Sequence, residues 1–169
     1  MDLTNKLYKV FLIAGSEPLG TAGMQADIKS ISACGGYAAG AITCIVDEDT
    51  IKVKSIQTIP VEMVVSQTYS FLEDVGADCI KTGMLYSQEL VTAIGDVVKK
   101  QSIPIVVDPV MVATSGSKLL QDSAIQILTG QLLPMAEVVT PNIPEAEILS
   151  GMTITDAAGM EAAAKCISE

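Results

Sequence analysis

Residues able to bind or polarise a small ligand recur directly after the apolar runs of this sequence. They are acids, small residues and amides, in the groups Gly15-Ser16-Glu17, Asp47-Glu48-Asp49, Thr82-Gly83-Met84, Asp108-Pro109 and Thr140-Pro141-Asn142. Each group alone is ordinary loop chemistry. If the apolar runs are parallel strands, however, their carboxyl ends meet at one edge of the sheet, where ligands bind in α/β proteins. The recurrence therefore predicts one constructed site.

The first group opens a glycine-rich segment, GSEPLGTAGMQAD, which covers residues 15–27. Its glycines have the spacing of a phosphate-binding P-loop, but Thr21-Ala22 stands where such a loop needs Lys followed by Ser or Thr. The G-x-G-x-x-G fingerprint of a dinucleotide site is also absent, because Glu17 occupies the second glycine position. The remaining interpretation is a flexible turn that lets the backbone approach a small ligand closely.

Asp27 closes this segment, about one turn into a predicted helix. A carboxylate near a helix N-terminus is stabilised there, and it can accept a hydrogen bond from a substrate hydroxyl. The alternative is that Asp27 only complements the helix dipole. The residues alone leave both interpretations open.

Composition excludes several classes of function. The chain has 169 residues and a net charge of -10, without any Arg, His or Trp. An acidic chain without arginine does not offer the basic surface that nucleic acids require. The absence of His excludes a Ser-His-Asp triad and the common His-containing zinc sites. The four cysteines lie far apart without a CxxC pair, so we expect reduced thiols, with Cys44 and Cys79 in apolar strands.

Apolar runs alternate with amphipathic segments along the whole chain. The pattern predicts strands at 10–16, 38–46, 51–59, 79–84, 103–110 and 138–141, and helices at 22–34, from Pro60, from an N-cap at Ser87, and at 121–133, 144–150 and 156–168. Such alternation is typical of an α/β fold whose largely parallel sheet is covered on both faces. We expect a single domain over 1–169 and, without a membrane span or signal peptide, a cytoplasmic protein.

Several segments in order resemble one family of kinases. They read IAGSEPLGTAGMQADIK, GGYAAGAITCIVDEDT, IKTGML, DPVMVATSG, LLP and VVTPNIPEAEIL. Together they resemble the hydroxymethylpyrimidine/phosphomethylpyrimidine kinases of thiamine biosynthesis, members of the ribokinase-like superfamily. The resemblance implies a three-layer α/β/α fold, ATP and Mg²⁺ as cofactors, a small pyrimidine substrate, and a homodimer.

The resemblance also assigns roles to residues of the predicted site. Asp27 would hold the hydroxymethyl end of the pyrimidine, while Gly15, Val46 and Met84 would line the pocket for its ring. Asn142 and Glu145 match the NxxE motif of the superfamily, in which the acid acts through a hydrated Mg²⁺. The alternative for Glu145 is an ordinary acid in the first turn of a helix.

Asp108 has two interpretations of equal weight. It is either a strand-end acid near the metal and the phosphates of ATP, or a buried acceptor of loop hydrogen bonds.

This sequence departs from the family at several positions. Glu48 stands where the family usually has a glutamine that reads the pyrimidine edge, and an ionised carboxylate offers acceptors but no donor. Thr21 replaces a common glycine, Glu17 a frequent aspartate, and Thr114 a frequent lysine. Glu48 in particular keeps a pyridoxal or pyridoxine kinase of the same superfamily open as an alternative.

The family's GTG-Cys or GTG-Asp motif does not occur in these 169 residues. That motif supplies the anion hole at a helix N-terminus and the residue proposed as catalytic base. We therefore expect a C-terminally incomplete fold that carries the substrate pocket without a catalytic residue, and very low kinase activity for this chain alone. A non-catalytic pyrimidine-binding module is the alternative outside the enzymes.

Overall fold

A six-stranded sheet is the centre of this computed structural model, which describes residues 6–111, 120 and 122–169. Its strands are β1 (Lys9–Ser16), β2 (Tyr37–Glu48), β3 (Val53–Thr58), β4 (Cys79–Thr82), β5 (Ile105–Val107) and β6 (Val138–Val139), in the order β3-β2-β1-β4-β5-β6. All neighbouring pairs are parallel except β2 and β3. The predicted, largely parallel sheet is confirmed.

Helices cover both faces of the sheet. They are α1 (Gly23–Ala33), α2 (Val61–Asp74), α3 (Gln88–Val98), α4 (Asp122–Ile127), α5 (Ile143–Ser150) and α6 (Ala157–Ser168). Successive side chains of a strand point to opposite faces. Leu12 and Ala14 of β1 accordingly pack with Met24 of α1, whereas Phe11 and Ile13 belong to the larger core, on the face of α2 and α3. The three-layer α/β/α arrangement is therefore confirmed.

Two elements differ from their predictions because of prolines. Pro104 and Pro109 flank β5, which forms only Ile105–Val107 instead of the predicted 103–110. Proline cannot donate to a β-ladder, so it limits the strand at both ends. The predicted helix over 121–133 ends at Ile127 and continues as a π-helical turn and a 3₁₀ turn that contains Pro134.

The cysteines follow the prediction. All four are free thiols, with Cys44 buried in β2 and Cys79 half-buried in β4. Burial raises the pKa of both of these thiols, which keeps them protonated near neutral pH.

Among the described residues, no helix combines the length and apolar character needed to cross a bilayer.

Candidate functional site at the strand ends

Backbone hydrogen bonds join the ends of four parallel strands side by side. The N–H of Gly83, after β4, donates to Ile13 of β1 at 2.9 Å, and the N–H of Asp108, after β5, donates to Thr82 at 3.0 Å. In the same way, the N–H of Thr140, after β6, donates to the carbonyl oxygen of Val107 of β5 at 3.1 Å. The residue groups that follow these strands therefore meet at one edge of the sheet, as the sequence pattern predicts.

The β1–α1 loop is held by the Glu17 carboxylate. Its oxygens accept the backbone N–H groups of Leu19 and Thr21 at 2.5 Å and of Ala22 at 2.9 Å, although the side chain is buried. A glycine then closes the loop at Gly23, whose φ is 58° and where a Cβ would lie 2.4 Å from the Gly15 carbonyl oxygen. The loop is therefore a closed turn organised by an acid.

Glu17 gives the stability of the fold a defined pH dependence. Burial raises the pKa of Glu17, but the backbone N–H groups that it accepts outweigh burial and hold the pKa below its ordinary value of 4.5. Because the folded-state pKa is depressed, this contribution is present above the unfolded-state pKa and is lost as pH falls through the folded-state pKa.

We expect Glu17→Gln to lower the free energy of unfolding at pH 7 by about 1–3 kcal/mol, since an amide cannot replace a carboxylate that accepts several N–H groups. Urea unfolding between about pH 3 and pH 7 should show a smaller loss of stability on acidification in the variant than in the parent. Glu161→Gln, at an exposed carboxyl paired with Lys165, is the matched control and should keep the parent's slope. Equal slopes for Glu17→Gln and the parent would contradict this role.

Three of the residues assigned to the ring pocket lie together. Val46 and Met84 are 6% and 8% exposed and share an apolar cluster with Cys44. Gly15 packs against the same cluster, because a Cβ added there would lie 3.0 Å from the Cys44 sulfur and 3.7 Å from that of Met84. The Thr43 hydroxyl donates to the Met84 carbonyl at 2.6 Å and fixes the turn after β4. The predicted strand ends at Val46, but β2 continues to Glu48, so Val46 lies inside the strand.

Asp27 lies just past the first turn of α1, about where the sequence places it, and a lysine that the sequence analysis did not consider binds it. It is the fifth residue of α1, beyond the first turn, so it is not the acid that caps the helix dipole. Both of its carboxylate oxygens instead accept hydrogen bonds from the Lys81 ammonium of β4, at 2.9 and 2.7 Å. The same ammonium lies 3.4 Å from the carboxylate of Asp108. Lys81 therefore joins Asp27 and Asp108 into one ion-pair cluster.

Glu145 is buried and fully engaged with the backbone. Its oxygens accept the N–H groups of Met111 at 3.1 Å and of Asn142 at 3.0 Å, and the Asn142 side chain accepts the N–H of Glu145 in return. This reciprocal pair is a capping box at the start of α5. Burial raises the pKa of Glu145, and the nearby Asp108 carboxylate adds to that rise, while the N–H donors oppose it. A first-turn structural acid accounts for these contacts.

The described acids around Asp108 and Glu145 suit a hydrated metal ion better than an ion bound directly by several side chains. The part of the chain that the structure describes contains no group of three or more His, Cys, Asp or Glu side chains placed to hold a metal. Mg²⁺ usually keeps several waters and binds through one or two carboxylates together with substrate phosphates. The Asp108 side chain is 31% exposed and can offer oxygens to such an ion. Burial raises the pKa of Asp108, and the Lys81 ammonium opposes that rise.

Glu48 is half-buried in the last position of β2, opposite Val53 across a register shift. Burial, together with the carboxylates of Glu17 and Asp49, raises its pKa. A carboxyl group in such surroundings holds its proton more strongly, and the protonated form offers an O–H donor as well as acceptors.

Thr114, where a lysine is frequent in the family, lies outside the described residues.

Two cavities in the described part of the chain bear on the position of the site. The smaller, of about 310 Å³, opens beside the ends of β1 and β2 and is lined by Ser16, Glu17, Pro18, Gln25, Ile45, Val46 and Asp47. Its lining includes Val46 of the assigned ring pocket, together with Ser16, Glu17 and Asp47 of the predicted strand-end groups. The larger, of about 740 Å³, lies between the end of β6, α5 and α6, and Pro141 of the last strand-end group lines it. The chemistry at the strand ends therefore favours the smaller cavity as part of the site.

Sequence reasoning missed three residues of the site. Glu17 appears in the sequence analysis only in a strand-end group and as a departure from the family, without its role in the loop, and no role is assigned there to Lys81 or Tyr86. Tyr86 packs against the cluster of Val46 and Met84 with a φ of 67°, a conformation uncommon for residues other than glycine. A lysine inside an apolar strand, as in CIKTGM, is the signal that could have identified Lys81, because such a charge needs a partner.

Comparison with known proteins gives a consistent result. The family model described as Phosphomethylpyrimidine kinase matches residues 17–169. A hydroxymethylpyrimidine/phosphomethylpyrimidine kinase from Staphylococcus aureus (strain MRSA252) is 43% identical over 143 residues, which are 84% of this chain and 52% of the relative. Across the curated relatives that it matches, the chain spans between 32% and 58% of their length.

Solved structures of two kinds superpose on the chain. A phosphomethylpyrimidine kinase from Clostridium difficile 630 aligns with a TM-score of 0.87 and 35% identity, over 96% of this chain and 71% of that one. A pyridoxal kinase from Staphylococcus aureus, in complex with AMP-PCP and pyridoxal, aligns with a TM-score of 0.84 and 36% identity, over 96% and 59%.

Proposed function

Since this chain belongs to the phosphomethylpyrimidine kinase family, with the ribokinase-like fold of its relatives, we propose that it binds the phosphate acceptor of an ATP-dependent kinase. The acceptor is 4-amino-5-hydroxymethyl-2-methylpyrimidine or its monophosphate, and the process is thiamine biosynthesis. The observation that carries the proposal is the assembly of Gly15, Val46 and Met84 into one apolar cluster beside the Lys81–Asp27 ion pair. A Cβ added at Gly83, next to Met84, would lie 3.8 Å from the Lys81 nitrogen.

These two environments match the two ends of the proposed acceptor. A flat heteroaromatic ring is bound by apolar side chains, with a few polar groups that fix its edges. Asp27 accepts one hydrogen bond from Lys81 on each carboxylate oxygen. Its remaining lone pairs can accept a hydrogen bond from the hydroxymethyl O–H. Glu48, half-buried at the end of β2, offers an acceptor for an exocyclic amino group of the ring.

We extend the proposal to the phosphate donor. AMP-PCP and ADP occupy related pyridoxal kinases, which supports ATP as the donor here. When bound, Mg²⁺ would neutralise the charge of the transferred phosphates. Asp108 is the described residue best placed to contact its hydration shell, and Asn142 and Glu145 hold the neighbouring start of α5. We also propose that the chain acts as a single domain within a homodimer.

A pyridoxal or pyridoxine kinase is the second candidate. It is favoured by Glu48, which replaces the glutamine expected at that place, and by the similarity to the pyridoxal kinase from Staphylococcus aureus. Both substrates carry a hydroxymethyl group on a nitrogen heterocycle, so Asp27 would serve either one.

Calorimetric titration of the chain with the pyrimidine and with pyridoxine tests the proposal. We expect the pyrimidine to bind at least about tenfold more tightly, the discrimination given by one well-placed hydrogen bond to its amino group. Tighter binding of pyridoxine would establish the second candidate, and no binding of either compound would refute both. Glu48→Gln is the informative variant, because it restores the family's amide and should increase the preference for the pyrimidine.

A further inference from the structure

Lys81 occupies a central place among the strand ends. It lies in β4, opposite Leu12 of β1 on one side and Val106 of β5 on the other. Its ammonium reaches α1 through Asp27 and the end of β5 through Asp108. One side chain thus ties two strands and a helix together at the edge where the acceptor is proposed to bind.

The cluster is largely shielded from solvent. The side chains of Lys81, Asp27 and Asp108 are 19%, 20% and 31% exposed. Exposed ion pairs contribute little, but a charge in a shielded site must be paired to remain there. One ammonium has three N–H donors, and two of them are committed to the oxygens of Asp27. The Asp108 carboxylate lies 3.4 Å from the same nitrogen, so both acids are within ion-pair distance of one cation.

We infer that Lys81 is a positioning residue for the acceptor hydroxyl, an inference that rests on the proposed function. The bidentate contact fixes the rotation of the Asp27 carboxylate, and the contact with Asp108 fixes the ammonium. The lone pairs of Asp27 that Lys81 leaves free then keep fixed directions relative to β4. Without Lys81 the two carboxylates repel each other, and the Asp27 side chain turns away to reach water.

Pyrimidine titrations of variants test this inference. Lys81→Met should weaken binding of 4-amino-5-hydroxymethyl-2-methylpyrimidine by about tenfold or more, and Lys81→Arg should recover most of that loss because it keeps the charge. In a chain that already carries Asp27→Asn, adding Lys81→Met should change the affinity by less than about twofold, since the two residues act as a unit. Lys9→Met is the matched control, since Lys9 is a strand lysine at the opposite end of β1 that bonds Val75, and it should bind like the parent.

A purely structural role for Lys81 would give a different pattern. In one such result, Lys81→Met would lower the unfolding midpoint while the folded variant binds the pyrimidine with the parent's affinity. In another, Lys81→Met would weaken binding equally in the parent and in the Asp27→Asn chain, so that the two losses of binding free energy would add. Either result would overturn the inference while leaving the proposed function intact, because the parent would still bind the pyrimidine.

A crystal structure of the Lys81→Met variant without ligand decides the positioning independently of any binding result. The expected outcome is an Asp27 carboxylate displaced from its present position towards solvent. An Asp27 carboxylate in its present place would overturn the inference. If the parent does not bind the pyrimidine, the proposed function fails, and this structure still shows whether Lys81 positions Asp27.

Discussion

Replacing Glu145 with alanine should lower the free energy of unfolding by about 3–4 kcal/mol, the combined cost of a lost cap and an unsatisfied buried N–H group. Glu145 is 2% exposed, and its carboxylate accepts the N–H groups of Met111 and Asn142. Met111 is itself fully buried, so water cannot replace the lost acceptor. Urea unfolding in the absence of nucleotide and Mg²⁺ measures the effect.

Glu145→Gln is the control of matched shape. It keeps one carbonyl oxygen for one of the two N–H groups, so we expect about half of the loss. Unfolding of Glu145→Ala with the parent's midpoint would contradict the structural role and would leave a contact with hydrated Mg²⁺ as the reason for this acid. A stability loss that appears only when Mg²⁺ is present would lead to the same conclusion.

Replacing Asp27 with alanine should weaken binding of the pyrimidine by about 10- to 100-fold, the value of a hydrogen bond between a hydroxyl and a charged acceptor. The variant also leaves Asp108 as the remaining acid beside the Lys81 ammonium. The altered position of that ammonium should further weaken binding of the pyrimidine. Calorimetry on the folded variant gives the affinity, while thermal unfolding shows whether the fold is retained.

Asp96→Ala provides the comparison for Asp27→Ala. Asp96 is an exposed acid of α3, so its removal changes the net charge equally without touching the strand ends. We expect it to bind the pyrimidine like the parent. If Asp27→Ala also binds like the parent, Asp27 is not part of the acceptor site.

The sequence predicts the layers and strand edge well because alternating apolar runs report burial directly. It places Gly15, Val46 and Met84 in one pocket only through the family resemblance, since periodicity does not say which strand ends are neighbours. The pair of Lys81 and Asp27 shows the limit most clearly. These residues are 54 positions apart, and their contact depends on β4 lying beside β1, a matter of strand order that local pattern does not encode.

Glu17 and β5 show two other limits. The sequence predicts a solvent-exposed acid at Glu17, because the residue lies in a loop. Its burial depends on the glycine-rich turn, which directs several backbone N–H groups towards its carboxylate. The apolar run 103–110 predicts a long strand, but its prolines leave three residues with a complete ladder.

A crystal structure of this chain with 4-amino-5-hydroxymethyl-2-methylpyrimidine tests directly whether Asp27 and the cluster of Val46 and Met84 bind the acceptor. We expect the ring to lie against Val46 and Met84, with its hydroxymethyl oxygen within about 3 Å of an Asp27 oxygen that still bonds Lys81. A pyrimidine bound in the larger cavity between β6, α5 and α6, or one whose hydroxymethyl group points away from Asp27, would contradict it.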